Sequence, residues 1–184
     1  MSKITGGNAL IDPQVIVDKL KVEERMKIAD LGCGSSGHFV FPLARTVGKY
    51  GTVYAVDILK HNLVNVDKIA KQDGLQWIKT VWSNLEIFGA TKIETSSLDN
   101  ALLINILYQS DKRVEIVREA IRLLKKGGKL LITDWNKTAT PFGPSPAERV
   151  SKTNLISVCQ RLNMELVEEF DAGVYHFGVV FLKN

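Results

Sequence analysis

The sequence predicts an α/β fold: a three-layer sandwich around a seven-stranded, mostly parallel sheet, with strand seven antiparallel. Three observations lead there. The apolar run Ile28-Ala29-Asp30-Leu31 opens into a glycine-rich loop and then into helical sequence, the strand–turn–helix unit of a parallel sheet. Short apolar or β-branched runs then alternate with amphipathic helical segments. The last two strands are joined only by Asp171-Ala172-Gly173. That link is too short for a crossover, so they form a hairpin and one of them opposes the others.

The 184 residues suit one domain with a sizeable core and leave no room for a second. Residues 1–26 are expected to form an N-terminal helical or lid segment, and residues 27–184 the core. With 45% hydrophobic and 24% charged residues, the composition is that of a soluble globular protein. No apolar run approaches the ~20 residues of a membrane span, and the N-terminus lacks an apolar signal segment. Cys33 and Cys159 are far apart and lack metal-ligand spacing, so free thiols in the cytoplasm and no metal are expected. A net charge of +4 permits an anionic partner without demanding one. Lys125, Lys126 and Lys129 form the densest basic cluster, expected at a helix end where cations complement the dipole. No aromatic residues are interleaved there, so nucleic acid is possible but not indicated.

In chain order, Asp12 caps a helix over 13–21 with Pro13 in its first turn and Val15, Ile16 and Leu20 on its buried stripe. The small, mildly apolar stretch from Thr5 to Ile11 before it either folds over a ligand or is a disordered tail. Strand one is 27–31. A helix is expected over 37–47, short or kinked at Pro42, then strand two over 52–57. A helix over 61–72 buries Leu63, Val66 and Ile69 or Ala70, and Gly74 closes it. Strand three is 75–82, residues 88–97 are irregular, and the fourth strand runs from Leu98 towards Asn105. The clearest helix spans 111–126, with Val114, Val117, Ile121 and Leu124 on one face and Gly127-Gly128 ending it. Strand five is 129–134. Ser145-Pro146-Ala147-Glu148 reads as a capping box opening a helix to about residue 162. Strands six and seven are 164–170 and 174–182.

The glycines Gly32, Gly34 and Gly37 have G-x-G-x-x-G spacing, which allows a tight turn and close approach of a ligand to the backbone. A glycine loop alone fits several adenosine ligands. Asp30 narrows the choice, because a carboxylate at the loop mouth repels a dinucleotide's pyrophosphate. It attracts a ligand bearing an ammonium and a sulfonium, as S-adenosylmethionine (SAM) does. Asp57, ending strand two about 20 residues after the loop, is placed to accept both hydroxyls of an adenosine ribose. Its other reading is an N-cap for the next helix.

The string Asp30-Leu31-Gly32-Cys33-Gly34-Ser35-Ser36-Gly37 resembles motif I of class I SAM-dependent methyltransferases, D/E-x-G-x-G-x-G, with Ser36 where a third closely spaced glycine often sits. Val53-Tyr54-Ala55-Val56-Asp57 follows as in that family. Ser83-Asn84-Leu85-Glu86 stands where relatives often read G-D-A-E. Leu98 to Asn105 resembles the family's fourth strand, and Leu123 to Ile132 its L-K-P-G-G-x-L block with Lys126 for the proline. The (N/D)-P-P-(Y/F) string of DNA amino-methyltransferases and the Pro-Cys of cytosine-C5 enzymes are both absent from the fourth-strand region. Within the superfamily the chain is most similar to small generic members of the ubiquinone/menaquinone-methyltransferase type.

The resemblance implies the Rossmann-like class I methyltransferase fold and SAM as cofactor, with S-adenosylhomocysteine (SAH) as product. It places the cofactor on Asp30, Gly32, Cys33, Gly34, Ser35, Gly37, Asp57, Ile58, Ser83, Asn84, Leu85 and Asn105. Asn84 would meet the adenine amino group through its carbonyl oxygen, or else form a plain Asx turn. Trp135, Asn136, Phe142, Tyr175 and His176 are expected to border the acceptor pocket. His176, with Tyr175 beside it, is the best candidate base, against a purely structural histidine. His38 reads as a cofactor-side surface residue and His61 as solvated. The expected activity is methyl transfer to an unidentified acceptor, first a small molecule. The alternatives are a protein or RNA acceptor, a SAM-binding protein without turnover and, remotely, an NAD-dependent oxidoreductase.

Overall fold

A computed structural model describes residues 8–137, 140 and 143–184. In chain order the elements are α1 (Pro13–Leu20), β1 (Lys27–Leu31), α2 (Val40–Val47), β2 (Thr52–Asp57), α3 (Lys60–Gln72), β3 (Ile78–Trp82), β4 (Leu98–Ile104), α4 (Arg113–Leu123), β5 (Leu124–Trp135), α5 (Lys152–Arg161), β6 (Met164–Asp171) and β7 (His176–Lys183). Short 3₁₀ turns occupy Asn8–Leu10 and Leu107–Gln109.

The strands form one sheet in the order β3-β2-β1-β4-β5-β7-β6. Pairing is parallel from β3 through to β5, and β7 lies antiparallel between β5 and β6. The central strands β1, β4 and β5 are buried almost throughout, as expected of strands covered on both faces. One face packs under α1, α2 and α3 through Ile16, Leu43, Val47, Leu63 and Val66. The other packs under α4 and α5 through Ile116, Val117, Ala120 and Leu155. The order reverses between β1 and β4, and in open α/β sheets that reversal opens a crevice at the carboxyl ends of the strands.

Several boundaries differ from the sequence expectation. The helix after the glycine loop begins at Val40 rather than residue 37, because Gly37 has φ +56° and cannot start a right-handed helix. Pro42 therefore falls in the first turn, where its missing N–H has no carbonyl to serve. The clearest helix ends at Leu123, not residue 126. Leu124 is already extended and pairs with Leu98 of β4, so sheet pairing overrides local helix propensity. Lys125 and Lys126 lie just past the end of α4, on the first residues of β5, and Lys125 pairs with Asp99. The buried face of α4 is Ile116, Val117, Ala120 and Leu123, while Val114 is exposed. Val17, not Val15, completes the buried stripe of α1.

Strand three starts at Ile78, three residues later than expected, because Leu75 closes the turn after α3. The 145–148 capping box is only half formed. The Glu148 carboxylate accepts the Ser145 N–H, but the segment remains a turn. The helix instead begins at Lys152, and the Ser151 side chain accepts the Asn154 N–H as its cap. Strand six runs on to Asp171, and strand seven starts at His176, since Val174 projects into solvent.

Candidate functional site

A cavity of about 330 Å³ opens at the carboxyl ends of β1, β2 and β4. Its floor is the glycine loop. Gly32 has φ +94°, and a Cβ there would lie 2.1 Å from Cδ1 of Ile106, so this turn requires glycine twice over. Gly34 has φ +64° and faces open space within the cavity wall. The N–H of Gly34 donates to Oδ2 of Asp57 at 2.9 Å. That oxygen also accepts from Nδ2 of Asn62 at 3.1 Å, and Oδ1 accepts the Leu59 N–H at 2.8 Å. Asp57 thus caps the start of α3 and fastens it to the glycine loop.

Of the residues expected on the cofactor, Gly32, Gly34, Asp57, Ile58, Ser83, Asn84, Leu85 and Asn105 line this cavity. The Asn84 carbonyl oxygen accepts the Glu86 N–H in an Asx turn. The Ser83 hydroxyl pairs with that of Thr91 at 2.9 Å. Asn105 ends β4 with φ +57°, a conformation asparagine tolerates better than most residues. Asp30, Cys33, Ser35 and Gly37 do not line the cavity. Asp30 lies behind the loop, buried, with Oδ2 lacking a hydrogen-bond partner among the described residues. Burial, and then the charge of Asp57, push its carboxyl up to about 7. Cys33 is buried and its thiol is pushed upward, first by burial. Ser35 is exposed, and its carbonyl accepts from Asn65.

The charged groups lining the cavity, among the described residues, are Asp57 and Glu86; no lysine, arginine or histidine joins them. Its polarity therefore suits a cation. The N-terminus of α2 starts three residues beyond Gly37 and does not border the cavity, so it offers no cradle for a pyrophosphate.

Other functional positions were not singled out from the sequence. Asn8 lines the cavity, and its Oδ1 accepts from Nδ2 of Asn105 at 2.9 Å, bringing the N-terminal segment to the site. Gln109 donates to the Asn105 carbonyl at 2.6 Å, and Ser110 donates to Glu86 at 2.7 Å. Glu119, fully buried, accepts the N–H groups of Gly89 and Thr91 and pairs with Arg122. These bonds anchor the loop after Leu85; burial alone would raise the carboxyl, but the Arg122 pairing and the Gly89 and Thr91 N–H groups together outweigh it and hold it at about 2. The only sequence signal for Glu119 was an acid on the apolar face of a helix.

The expected acceptor residues lie apart from this cavity. Trp135 and His176 are buried, their rings 4.3 Å apart on paired positions of β5 and β7. Asn136 donates its N–H to the Tyr175 carbonyl, and Tyr175 is half-buried. Phe142 lies outside the described residues. Burial, and then the charge of Arg149, lower His176 to about 4. His38 bonds the Ile11 carbonyl and His61 is exposed.

A family defined as "Methyltransferase domain" matches residues 22–171. The chain belongs to this methyltransferase-domain family. The arsenite methyltransferase of Aquipseudomonas alcaligenes is 30% identical over 112 residues, which are 59% of this chain and 32% of that protein. The chain thus spans about a third of that relative's length. A SAM-dependent methyltransferase from Aquifex aeolicus superposes with a TM-score of 0.85 at 21% identity, covering 98% of this chain and 94% of that one. The arsenic(III) SAM methyltransferase of Chlamydomonas reinhardtii gives 0.70 at 19% identity, covering 89% and 65%. These superpositions establish the class I methyltransferase fold. Among the described residues no helix is long and apolar enough to cross a membrane, and no cluster of metal-ligating side chains occurs.

Proposed function

We propose that the glycine-loop cavity holds SAM and that the chain transfers its methyl group to a small-molecule acceptor in the cytoplasm. The observation that carries this is the charge of the site. Asp57 and Glu86 line the cavity, Asp30 lies buried behind it with an unpartnered oxygen, and no cation borders it among the described residues. A ligand with an ammonium and a sulfonium meets complementary charge there, whereas a pyrophosphate meets repulsion. When bound, SAM supplies an activated methyl and its own leaving group, so the protein's part is positioning and electrostatics. In this reading the Asp57 carboxylate, held by the loop and by Asn62, accepts the ribose hydroxyls. Ile58 and Leu85 likewise give apolar contact for the adenine and Asn105 flanks the methionine end, while Asp30 acts on the cationic end from behind the loop.

The arsenic acceptors named for two relatives are disfavoured for this chain. Trivalent arsenic is thiophilic, and the sequence holds two cysteines. Cys33 and Cys159 sit on different elements, both buried, and burial pushes the Cys159 thiol up to about 12. Neither offers a thiolate at neutral pH.

The test is thermal unfolding with SAM, SAH, NAD and NADP in parallel. A ligand at about 100 times its dissociation constant adds roughly 2.7 kcal/mol, a shift of several degrees for a domain of this size. Stabilisation by SAM and SAH alone is expected. Stabilisation by a dinucleotide alone overturns the assignment.

A further inference from the structure

The sheet ends in two edge strands, β3 and β6. An edge presents a row of unpaired N–H and C=O groups, and proteins blunt it with bulges and charges. β6 is blunted in this way. Its pairing with β7 shifts register between Leu166 and Glu168, and Glu168 and Glu169 are tied to Lys19 and Lys152. β3 has no bulge, and Ile78 to Trp82 pair one for one with Val53 to Asp57. Two bonds fix which of its groups are free. The Trp77 carbonyl accepts from the Val53 N–H, and the Ser83 N–H donates to the Asp57 carbonyl. Both polar groups of one strand residue point to the same side, and those of the next point to the other. Trp77, Lys79, Val81 and Ser83 therefore face β2. Thr80 and Trp82 turn N–H and C=O outward, and no partner for them occurs among the described residues.

A groove of about 510 Å³ runs along this edge, between Thr80, Trp82 and Ser83 of the strand and Ile87, Ala90 and Lys92 of the following loop. The loop is held in place. Glu119 accepts the N–H groups of Gly89 and Thr91, and the Thr91 hydroxyl pairs with that of Ser83. Trp82 and Ile87 are exposed, and so is Ile58, whose carbonyl accepts from the Trp82 indole at 2.8 Å. Exposed apolar side chains gathered in one place mark an interaction surface. The charges around the groove are positive. Lys60 lies over the Trp82 ring at 5.3 Å, Lys79 precedes Thr80, and Lys92 lines the groove. All three lysines are exposed and have no ion-pair partner among the described residues. Glu86, on the same loop, is already engaged by Ser110 and Lys112.

We propose that β3 is a docking edge for an extended, acidic segment of a partner protein. The segment adds to the sheet as a further strand, bonding its backbone to the outward groups of Thr80 and Trp82. Its apolar side chains enter the groove beside Ile87, and its carboxylates meet Lys60, Lys79 and Lys92. The groove and the glycine-loop cavity share Ser83 and Asn84, so the docked segment lies against the wall of that cavity. The proposal does not depend on which ligand the cavity holds.

Charge decides against a second copy of this chain. Two β3 edges side by side bring the lysines of both copies together, and like charges across a strand pair are destabilising. The acidic strand β6 of another copy is bulged, and Glu168 and Glu169 already have partners. A single-stranded nucleic acid could stack on Trp82, but stacking makes no use of outward backbone N–H and C=O groups. An acidic strand uses the backbone groups, the groove and the lysines at once.

The probe is a blocked peptide of alternating glutamate and valine, about seven residues long, enough to span β3. Binding is read by calorimetry and by amide hydrogen exchange. Expected is a Kd of about 1 mM or tighter, with the same peptide carrying lysine for glutamate bound at least about tenfold more weakly. The amides of Thr80 and Trp82 should exchange at least about tenfold more slowly in the complex, while those of Lys79 and Val81, already bonded to β2, change little. Thr80→Pro removes an outward N–H and leaves the β2 ladder intact, as proline at an edge allows. It should keep the unfolding temperature within a few degrees and lose the peptide. Lys79→Glu combined with Lys92→Glu leaves the backbone unchanged and keeps the test decisive where the proline variant does not fold. That pair should weaken the acidic peptide at least about tenfold. No binding at about 1 mM, equal binding of the lysine peptide, unprotected Thr80 and Trp82 amides, or full binding by folded Thr80→Pro or by the lysine pair overturns the proposal. A uridine decamer that binds more tightly than the acidic peptide overturns it too, as does self-association that protects Thr80 in the free chain.

Discussion

Oδ2 of Asp57 accepts the backbone N–H of Gly34 at 2.9 Å, so the acid that ends β2 and the loop that follows β1 form one unit before any ligand binds. Asp57→Asn puts an amide where Gly34 and Asn62 donate, leaving at least one buried donor without an acceptor. The expected cost is about 1–3 kcal/mol of stability, with SAM affinity at least tenfold weaker. Chemical denaturation and calorimetry measure the two effects separately. Unchanged affinity in the folded variant removes Asp57 from the ribose.

Asp30 predicts two pH effects of opposite sign. Its carboxyl lies at 3.8 when unperturbed and at about 7 in the folded chain. Between those values the folded state holds the extra proton, so this group's contribution to stability falls as pH rises from about 4 to 7. A bound ammonium favours the ionised form, so binding SAM releases the proton. Affinity should then rise with pH up to about 7, approaching tenfold per unit. Titrations at pH 5.5, 6.25 and 7 test this, and Asp30→Asn should flatten both profiles. A wild-type affinity independent of pH would exclude contact between Asp30 and the cofactor's cationic end.

The two loop glycines should fail differently. Gly34→Ala meets no protein atom within 4 Å and carries only the strain of φ +64°, about 1–2 kcal/mol. Its methyl enters the cavity. The variant should fold with a melting point lower by a few degrees and bind SAM at least tenfold more weakly. Gly32→Ala collides with Ile106 and should not give a folded, soluble protein. Wild-type SAM affinity in Gly34→Ala would place the ligand elsewhere.

Glu119 should set the acid limit of the fold. Its carboxyl is held at about 2, against 4.5 unperturbed. The unfolded state therefore binds the extra proton between those values, and the contribution is lost as pH falls through that window. Glu119→Gln leaves Arg122 without its buried partner, at a cost of about 3 kcal/mol. It should also expose the segment from Gly89 to Thr91 to limited proteolysis at neutral pH. Acid unfolding identical to wild type would show that the pair does not anchor the loop.

Where chemistry is local, the sequence was legible. The boundaries of β1 and β2 were read correctly from an apolar run ending in a glycine loop and a β-branched run after Gly51. The terminal hairpin followed from a link too short to cross the sheet. The end of α4 was misread because Leu124 joins β4 through a pairing with Leu98, a contact between residues far apart in the chain. The 145–148 box misled because its residues satisfy the local rule while Ser151 caps the helix that forms.

By itself the sequence determined the strand–loop–helix unit, the acid at the end of β2 and the reversal of strand seven, since each depends on residues within a few positions of one another. Only the tertiary structure decided that Asp30 lies buried with an unpartnered oxygen, that Asn8 returns to Asn105, that Glu119 fastens a loop, and that Thr80 and Trp82 face an open groove. Burial and dielectric are properties of surroundings assembled from distant strands. The same aspartate or histidine has a different proton affinity in each such setting, and no local pattern encodes which setting it will meet.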